Sequence, residues 1–241
     1  MKEKQCHDDT FSRIRHIQET LQSFVYNPNG ATYDVNKKRP LSELLDTGKL
    51  IGSHPTKPIQ CVEGAFVALH MSQQYTGIHR FSLSFQSLDE ASVVRHHLVL
   101  GVYGGDKYGA FGISRCPALM NKPMQFDTLA DLLADFKQSY EGVGHKVQMI
   151  TIGRPVAHDT TAEQVVWNYL RVSASDWAVV TKHAASFHDR LVRDSPQLWD
   201  TPIIPAAEEP QPRVSRSLAQ KQPDRRCVSM GSAPADPSVP Q

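Results

Sequence analysis

Apolar residues near the N-terminus recur at three- and four-residue steps behind a polar run, Asp8–Thr10. Such spacing is typical of a helix that buries one face and begins at an N-cap. The sequence therefore predicts a first helix from Thr10 to Val25. Its apolar stripe consists of Ile14, Ile17, Leu21, Phe24 and Val25.

A second apolar stripe follows a loop bracketed by Pro55 and Pro58. Its members occupy positions i, i+3, i+4 and i+7, so this helix is predicted to begin after Ile59 and to belong in the core. They are Val62, Ala65, Phe66 and Leu69. The stretch between the two helices is punctuated by Pro40 and Gly48, and we predict no helix there.

The pattern then changes from helical spacing to alternation. Phe81, Leu83 and Phe85 share one face of a strand, and two β-rich runs flank Gly104–Asp106. These runs, Val94 to Tyr103 and Lys107 to Arg115, predict a hairpin. We expect its turn to consist of Gly105 and Asp106, with glycine first as in a type II′ turn.

The rest of the folded part mixes helices and strands. Thr128–Asp131 resembles a capping box and predicts a helix that ends near Gly142. Strands are expected at Lys146–Ile152 and Gln164–Val172, and a last helix from Ser175 or Asp176 to Leu191. Because neither a repeat nor βαβ alternation is visible, we predict an α+β fold with N-terminal helices packed on a mostly antiparallel sheet.

The C-terminal segment differs in composition from the rest of the chain. Eight of the 16 prolines lie between Pro202 and Gln241, where Phe, Tyr and Trp are absent. Such a segment buries too little apolar surface to offset the entropy of ordering. We therefore expect one domain over residues 1–200 and a disordered, proline-rich tail over 201–241.

Charge and cysteine content narrow the function classes. The 241 residues contain 26 Lys and Arg against 25 Asp and Glu, which argues against a nucleic-acid partner. The four cysteines lack the spacing of a disulfide framework or a zinc ribbon, and the histidines lack metal-ligand spacing, so we expect no metal or other cofactor. Because neither a signal core nor a membrane-length apolar run is visible, we expect a soluble, intracellular protein.

Cys61 is the best candidate nucleophile, because it lies in the first turn of a predicted helix. Unpaired N–H groups and the helix dipole there stabilise a thiolate, so we expect its pKa to be lowered. Cys6 and Cys227 lie in polar or disordered segments that cannot hold the geometry of catalysis. Cys116, at a strand end, is the only rival.

A thiol nucleophile requires a base, and the hairpin register selects one from the 11 histidines. With the turn at Gly105 and Asp106, His97 pairs with Ser114 on the same face, about 5 Å apart between Cβ atoms. The serine oxygen or a nearby carbonyl can then orient the imidazole. His96 points to the opposite face, where an uncharged structural histidine is expected. A slip of one residue would reverse both assignments.

Three stretches carry a resemblance to a known family: Ile59–Glu63, Arg95–Val102 and Tyr108–Arg115. Similarity extends to Tyr26-Asn27 with Gly30, Arg39–Leu41, Phe126–Leu129 and Val156–Asp159. In these residues the chain resembles the vasohibins, transglutaminase-like cysteine peptidases that remove the C-terminal tyrosine of α-tubulin. The likeness covers roughly Leu21 to Asp189.

The resemblance implies Cys61 as nucleophile, His97 as general base and acid, and Ser114 as the support of His97. It also implies Tyr26 near the reacting carbonyl and Arg115 as the ligand of the substrate's terminal carboxylate, a task that suits a guanidinium fork. The implied protein is a metal-independent enzyme of the cytoplasm and cytoskeleton, with the α-tubulin tail as its substrate.

The chain also departs from the family. Gln60 replaces a basic residue, so Lys37-Lys38-Arg39 becomes the candidate patch for an acidic tail. Animal members bind a small helical partner through a longer N-terminal part, and the shorter part here argues against dependence on it. Two alternatives stay open: acyl transfer to an amine, and a non-catalytic microtubule-associated module in which Cys61 is a core residue.

Overall fold

A six-stranded antiparallel sheet organises the described part of the chain, and helices cover both of its faces. The computed structural model describes residues 2–160 and 164–193, with side chains from Thr10 onward. The helices are α1 (Lys2–Ser23), α2 (Leu41–Gly52), α3 (Cys61–Ser72), α4 (Leu129–Gly142) and α5 (Trp177–Arg193). The strands are β1 (His79–Leu88), β2 (Val94–Gly104), β3 (Lys107–Phe111), β4 (Lys122–Phe126), β5 (Lys146–Pro155) and β6 (Leu170–Ser173). Across the sheet they lie in the order β4-β3-β2-β1-β5-β6.

The first predicted helix is confirmed as α1, with corrections at both ends. It begins at Lys2 rather than at an N-cap in Asp8–Thr10, because good helix formers precede the apolar stripe. At the other end Val25 is 62% exposed, so its predicted burial is wrong. The rest of the stripe is buried: Ile14, Ile17, Leu21 and Phe24.

The helix α2 contradicts the prediction that its stretch is irregular. Pro40 stands at the N-cap, where a proline does not interrupt a helix, and the residues after it have helical spacing. Gly48 is a packing position, since a Cβ atom there would lie 2.1 Å from the carbonyl oxygen of Phe66 in α3. The buried residues of α2 are Leu41, Leu44, Leu45, Gly48 and Ile51.

The helix α3 begins at Cys61, as predicted, and is more deeply buried than a single stripe implies. Every residue from Glu63 to Leu69 is buried, because α1, α2 and the sheet surround the helix. Gly64 allows the close contact with the chain after β3, since a Cβ atom there would lie 2.6 Å from the Ile113 side chain. The N-terminus of α3 therefore lies against the sheet.

The predicted hairpin is confirmed as β2 and β3 in the expected register, with Gly104 opposite Lys107 and Leu100 opposite Phe111. Its turn differs from the expected type II′. Gly105 and Asp106 both have φ of +57°, which defines a type I′ turn, the form that matches the twist of two adjoining strands. The strand β3 also ends at Phe111, four residues before the predicted end at Arg115.

The sheet separates two apolar layers. One contains Phe81, Leu83, Phe85 and the inner faces of α4 and α5, and the other contains α1, α2, α3 and Leu98. The α+β class is therefore confirmed. The predicted capping box at Thr128 is also present. The strand β4 was not predicted because Pro123 lowers its strand signal, and β6 covers only the last part of the strand expected at Gln164–Val172.

Two expectations fall on other parts of the chain. The proposed tail, 201–241, and the domain boundary at residue 200 lie outside the described residues, as do Cys227 and the side chain of Cys6. Within the described ranges, none of the helices combines the length and the apolar character that crossing a bilayer requires.

Candidate active site

Cys61 is held at the first position of α3 by a cap immediately before it. The backbone N–H of Gln60 donates to Glu63 Oε2 at 2.6 Å, which closes the first turn. Glu63 is fully buried, and the pattern Gln60-x-x-Glu63 is a capping box in which glutamine stands in place of serine or threonine. Cys61 is therefore the first residue of a helix whose N-terminus is held by this cap.

The same carboxylate fixes the loop that carries Tyr26. Glu63 Oε1 accepts hydrogen bonds from the backbone N–H groups of Thr32 and Tyr33, both at 2.7 Å. Tyr26 forms a parallel bridge with Ile59, and the Asn27 N–H donates to the Ile59 carbonyl at 2.8 Å. Tyr26 is consequently tied to Ile59, two residues before the cysteine.

The edge of the sheet brings the cysteine to the predicted histidine. The strand β3 leaves β2 after Phe111, and the start of α3 lies beside the part of β2 that it vacates. There the backbone N–H of Leu98 is near enough to the Cys61 sulfur to lower the pKa of the thiol. Leu98 directly follows His97, so the candidate nucleophile lies beside the strand that carries the candidate base.

The imidazole of His97 is oriented by a main-chain carbonyl. Its Nε2 atom lies 2.8 Å from the carbonyl oxygen of Leu119, whereas the Ser114 hydroxyl accepts a hydrogen bond from the Cys116 N–H at 3.2 Å. The expected His97–Ser114 ladder pair is not formed, because β3 ends at Phe111 and Ile113 turns toward α3. His96 is exposed, so its expected role as a buried structural histidine is also wrong.

Burial controls the protonation of the pair. It raises the pKa of the Cys61 thiol above its ordinary value, contrary to the expected lowering. The N–H groups of Leu98, Val62 and Cys61 and the charge of Lys37 act in the opposite direction, with smaller effects. Burial also lowers the pKa of His97 to about 4, against the effect of the Leu119 carbonyl. The free site therefore contains a neutral thiol and a neutral imidazole at pH 7.

Tyr26 and Arg115 lie on the exposed side of the cysteine. The guanidinium carbon of Arg115 is 6.0 Å from the centre of the Tyr26 ring. Burial raises the pKa of the Tyr26 hydroxyl, the Cys61 sulfur adds to this rise, and the Arg115 charge opposes it. Tyr26 therefore lies near both the Cys61 sulfur and the Arg115 guanidinium.

The three residues of the proposed basic patch, Lys37, Lys38 and Arg39, have different surroundings. Lys37 Nζ lies 5.8 Å from the centre of the Trp167 ring, and its charge lowers the pKa of Cys61. Lys38 is exposed. Arg39 forms ion pairs with Asp34 at 2.5 Å and with Glu43 at 3.7 Å. Lys37 thus lies nearest to the candidate site.

Sequence reasoning missed three contributors to this site. Leu98 and Leu119 act through their backbone, to which residue type gives no clue. Tyr140 of α4 is 2% exposed and its hydroxyl has no hydrogen-bond partner in the described part, while burial and the two sulfurs of Cys61 and Cys116 raise its pKa. No group of three His, Cys, Asp or Glu side chains among the described residues has a metal-binding arrangement.

Similarity to known proteins identifies the family of this chain. The sequence model of a protein family described as Vasohibin matches residues 3–196. A Mus musculus protein described as tubulinyl-Tyr carboxypeptidase 1 is 32% identical over 159 residues, which amount to 65% of this chain and 42% of the relative. The match therefore spans less than half of the relative's length.

Proposed function

Because the chain belongs to the vasohibin family, we propose that it is a cysteine carboxypeptidase that removes the C-terminal tyrosine of α-tubulin. The observation that carries this proposal is the position of Cys61 at the start of α3, where the N–H of Leu98, the residue after His97, lowers the pKa of the thiol. The mouse relative, whose name specifies a tubulinyl-tyrosine carboxypeptidase, supports the substrate.

The proposed reaction begins with two neutral groups. His97 donates its Nε2 proton to the Leu119 carbonyl, so Nδ1 is left to accept the thiol proton as the sulfur attacks the last peptide carbonyl. Backbone N–H groups at the start of α3 and the Tyr26 hydroxyl stabilise the oxyanion. The imidazolium then protonates the departing amine, and water hydrolyses the thioester to release the shortened chain.

Recognition of a free C-terminus is assigned to Arg115. A carboxypeptidase must bind a terminal carboxylate, and the exposed Arg115 beside Tyr26 supplies a guanidinium for it. Ser114 supports this part of the site, since its hydroxyl accepts from the Cys116 N–H and so fixes the loop on both sides of Arg115. Lys37 and Lys38 are the proposed contacts for the acidic residues upstream.

The thiol and imidazole supply the nucleophile and the proton transfers, so the proposed reaction requires no metal ion and no cofactor. The substrate places its site of action on the microtubule cytoskeleton of the cytoplasm. Addition of a chelator to the purified chain is expected to leave tyrosine release unchanged.

The direct test is tyrosine release from tyrosinated α-tubulin by the purified protein. Cys61→Ala should abolish release, because the attacking atom is removed, whereas Cys116→Ala is the matched thiol control and should retain it. Release by Cys61→Ala at the wild-type rate would overturn the proposal. Absence of release by the wild type would do so as well.

A further inference from the structure

Among the described residues, no strand lies beside the outer edge of β2 over its first half. The strand β3 pairs with β2 only from Gly104 to Leu100, and the chain after Phe111 turns away to place Ile113 against α3. Val94, Arg95 and His96 are exposed on this edge. An unpaired strand edge presents main-chain groups that bind extended peptides.

The direction of one N–H group fixes the direction of the others. In an antiparallel sheet, alternate residues of a strand bond to the same neighbour. Gly104 and Lys107 flank the two-residue turn and bond to each other, so Gly104 and every second residue before it, including Leu98, direct their N–H groups away from β1. The His96 N–H, two residues earlier, therefore points out of the same edge, and the Val94 N–H does so one further step along.

Positive charge lies along this edge on the side away from Leu98. Burial lowers the pKa of His145, and the charges of Arg95 and Arg115 act in the same direction, against those of Asp89 and Glu90. The His145 Nδ1 atom is 3.2 Å from the hydroxyl of Ser87, which pairs with Arg95 across the sheet. Arg115 therefore lies near the part of β2 that contains Arg95, and a substrate that runs from Cys61 toward Arg115 is expected to pass His96.

The available length matches one substrate residue. The His96 N–H lies about 6.6 Å along the strand from the Leu98 N–H. A carbonyl carbon poised for attack is about 3.3 Å from the sulfur. One extended residue adds about 3.5 Å. The terminal carboxylate of a substrate attacked by Cys61 therefore reaches the level of the His96 N–H.

We propose that the backbone N–H of His96 binds the terminal carboxylate of the substrate together with Arg115. This inference rests on the proposed carboxypeptidase function. It adds a main-chain contact that lies one substrate residue away from the sulfur, so that only the last residue is removed. The contact uses no side chain of residue 96, so alanine at this position preserves it.

His96→Pro removes this N–H, and proline is tolerated on a strand edge where the N–H points outward. With an acidic peptide ending in tyrosine, its kcat/KM should fall about 10- to 100-fold, the range expected for a hydrogen bond to a charged group. The C-terminally amidated peptide should be cleaved at the low wild-type rate. His96→Ala and Val94→Pro are the controls and should keep the wild-type preference for the free acid.

A general loss of fold lowers the cleavage of both peptides, whereas the inference requires a change in their ratio. If His96→Pro keeps the wild-type ratio of acid to amide cleavage, the inference is wrong. Arg115→Ala is a second test that does not require a proline. We expect this variant to keep a residual preference for the acid peptide. Complete loss of the preference would assign carboxylate binding to Arg115 alone.

Binding separates this inference from the proposed function. In a Cys61→Ala background, the affinity for the acid and amide peptides is measured by fluorescence anisotropy with and without His96→Pro. A preference for the acid that His96→Pro reduces supports the inference even if the wild type releases no tyrosine, a result that would refute only the carboxypeptidase. An unaltered preference contradicts the inference whatever the turnover.

Discussion

His97 Nε2 lies 2.8 Å from the carbonyl oxygen of Leu119. A carbonyl only accepts hydrogen bonds, so this contact fixes the proton on Nε2 and leaves Nδ1 as the basic nitrogen. Because the orienting group belongs to the main chain, replacing the Leu119 side chain does not remove it. The tautomer is therefore determined by how the chain folds after β3.

Alkylation of Cys61 is expected to accelerate with pH up to and beyond 9. Burial raises the pKa of the thiol, and His97, with a pKa of about 4, is not charged at neutral pH, so the free protein has little thiolate there. Iodoacetamide labelling of Cys116→Ala, followed by mass spectrometry from pH 5 to 10, measures this dependence. A rate that is already at its plateau near pH 5 would indicate a preformed thiolate–imidazolium pair.

Acid should destabilise the fold through His97. A histidine whose pKa is lower in the folded state than its ordinary 6.5 binds protons more readily when unfolded, so stability is complete above pH 6.5 and is lost as the pH falls toward 4. The loss at pH 4 is about 3 kcal/mol at most. Urea unfolding of wild type and His97→Asn at pH 6.5 and pH 4 measures how much unfolding free energy each protein loses in acid. An equal loss in the two proteins would contradict the role of His97.

Glu63→Gln should loosen the loop that carries Tyr26. The carboxylate accepts three backbone hydrogen bonds, and the amide of glutamine turns a donor toward at least one N–H group. We expect a loss of about 2 kcal/mol in the free energy of unfolding. Hydrogen exchange at the amides of Thr32 and Tyr33 should become faster.

The exposed Glu43 provides the control. Glu43→Gln removes the same charge as Glu63→Gln, but the Glu43 carboxylate is not buried among backbone N–H groups. It should alter stability by less than about 0.5 kcal/mol. Protection of both loop amides in Glu63→Gln equal to that in wild type would show that the carboxylate does not hold the loop.

Gly48→Ala should destabilise the packing of α2 on α3. The new Cβ atom would lie 2.1 Å from the carbonyl oxygen of Phe66, which belongs to backbone and cannot move aside easily. The expected cost is about 3 kcal/mol or more in unfolding free energy. Gly52→Ala has no atom within 4 Å and should be neutral or stabilising by about 0.5 kcal/mol. Similar urea midpoints for the two variants would refute the close helix contact.

The sequence predicts most of the sheet because local turn chemistry determines strand register. Gly105 and Asp106 fix the pairing of β2 with β3 within a few residues of chain, and this pairing assigns Leu98 and Val99 to opposite faces. In contrast, α2 was not predicted. A proline usually indicates the interruption of a helix, and the sequence alone does not show that Pro40 stands at the N-cap of one.

The candidate site divides in the same way. Cys61 and His97 are candidates from residue type and position alone, and the fold puts Cys61 near Leu98, the residue after His97 in β2. The Leu119 carbonyl was unpredictable, because its position depends on the path of the chain from Phe111 through the short 3₁₀ turn Pro117–Leu119. The raised pKa of Cys61 was missed for a related reason, since burial is a property of the assembled fold.

The division of the core into two layers has a consequence for biosynthesis. Cys61 packs against the layer formed by the first three helices, whereas the His97 ring shares its side of the sheet with Phe85 and Leu119. A growing polypeptide that has emerged only as far as the hairpin lacks the support of Leu119 and α4. The candidate site is therefore complete only after the chain has emerged beyond α4 and both layers have packed on β2.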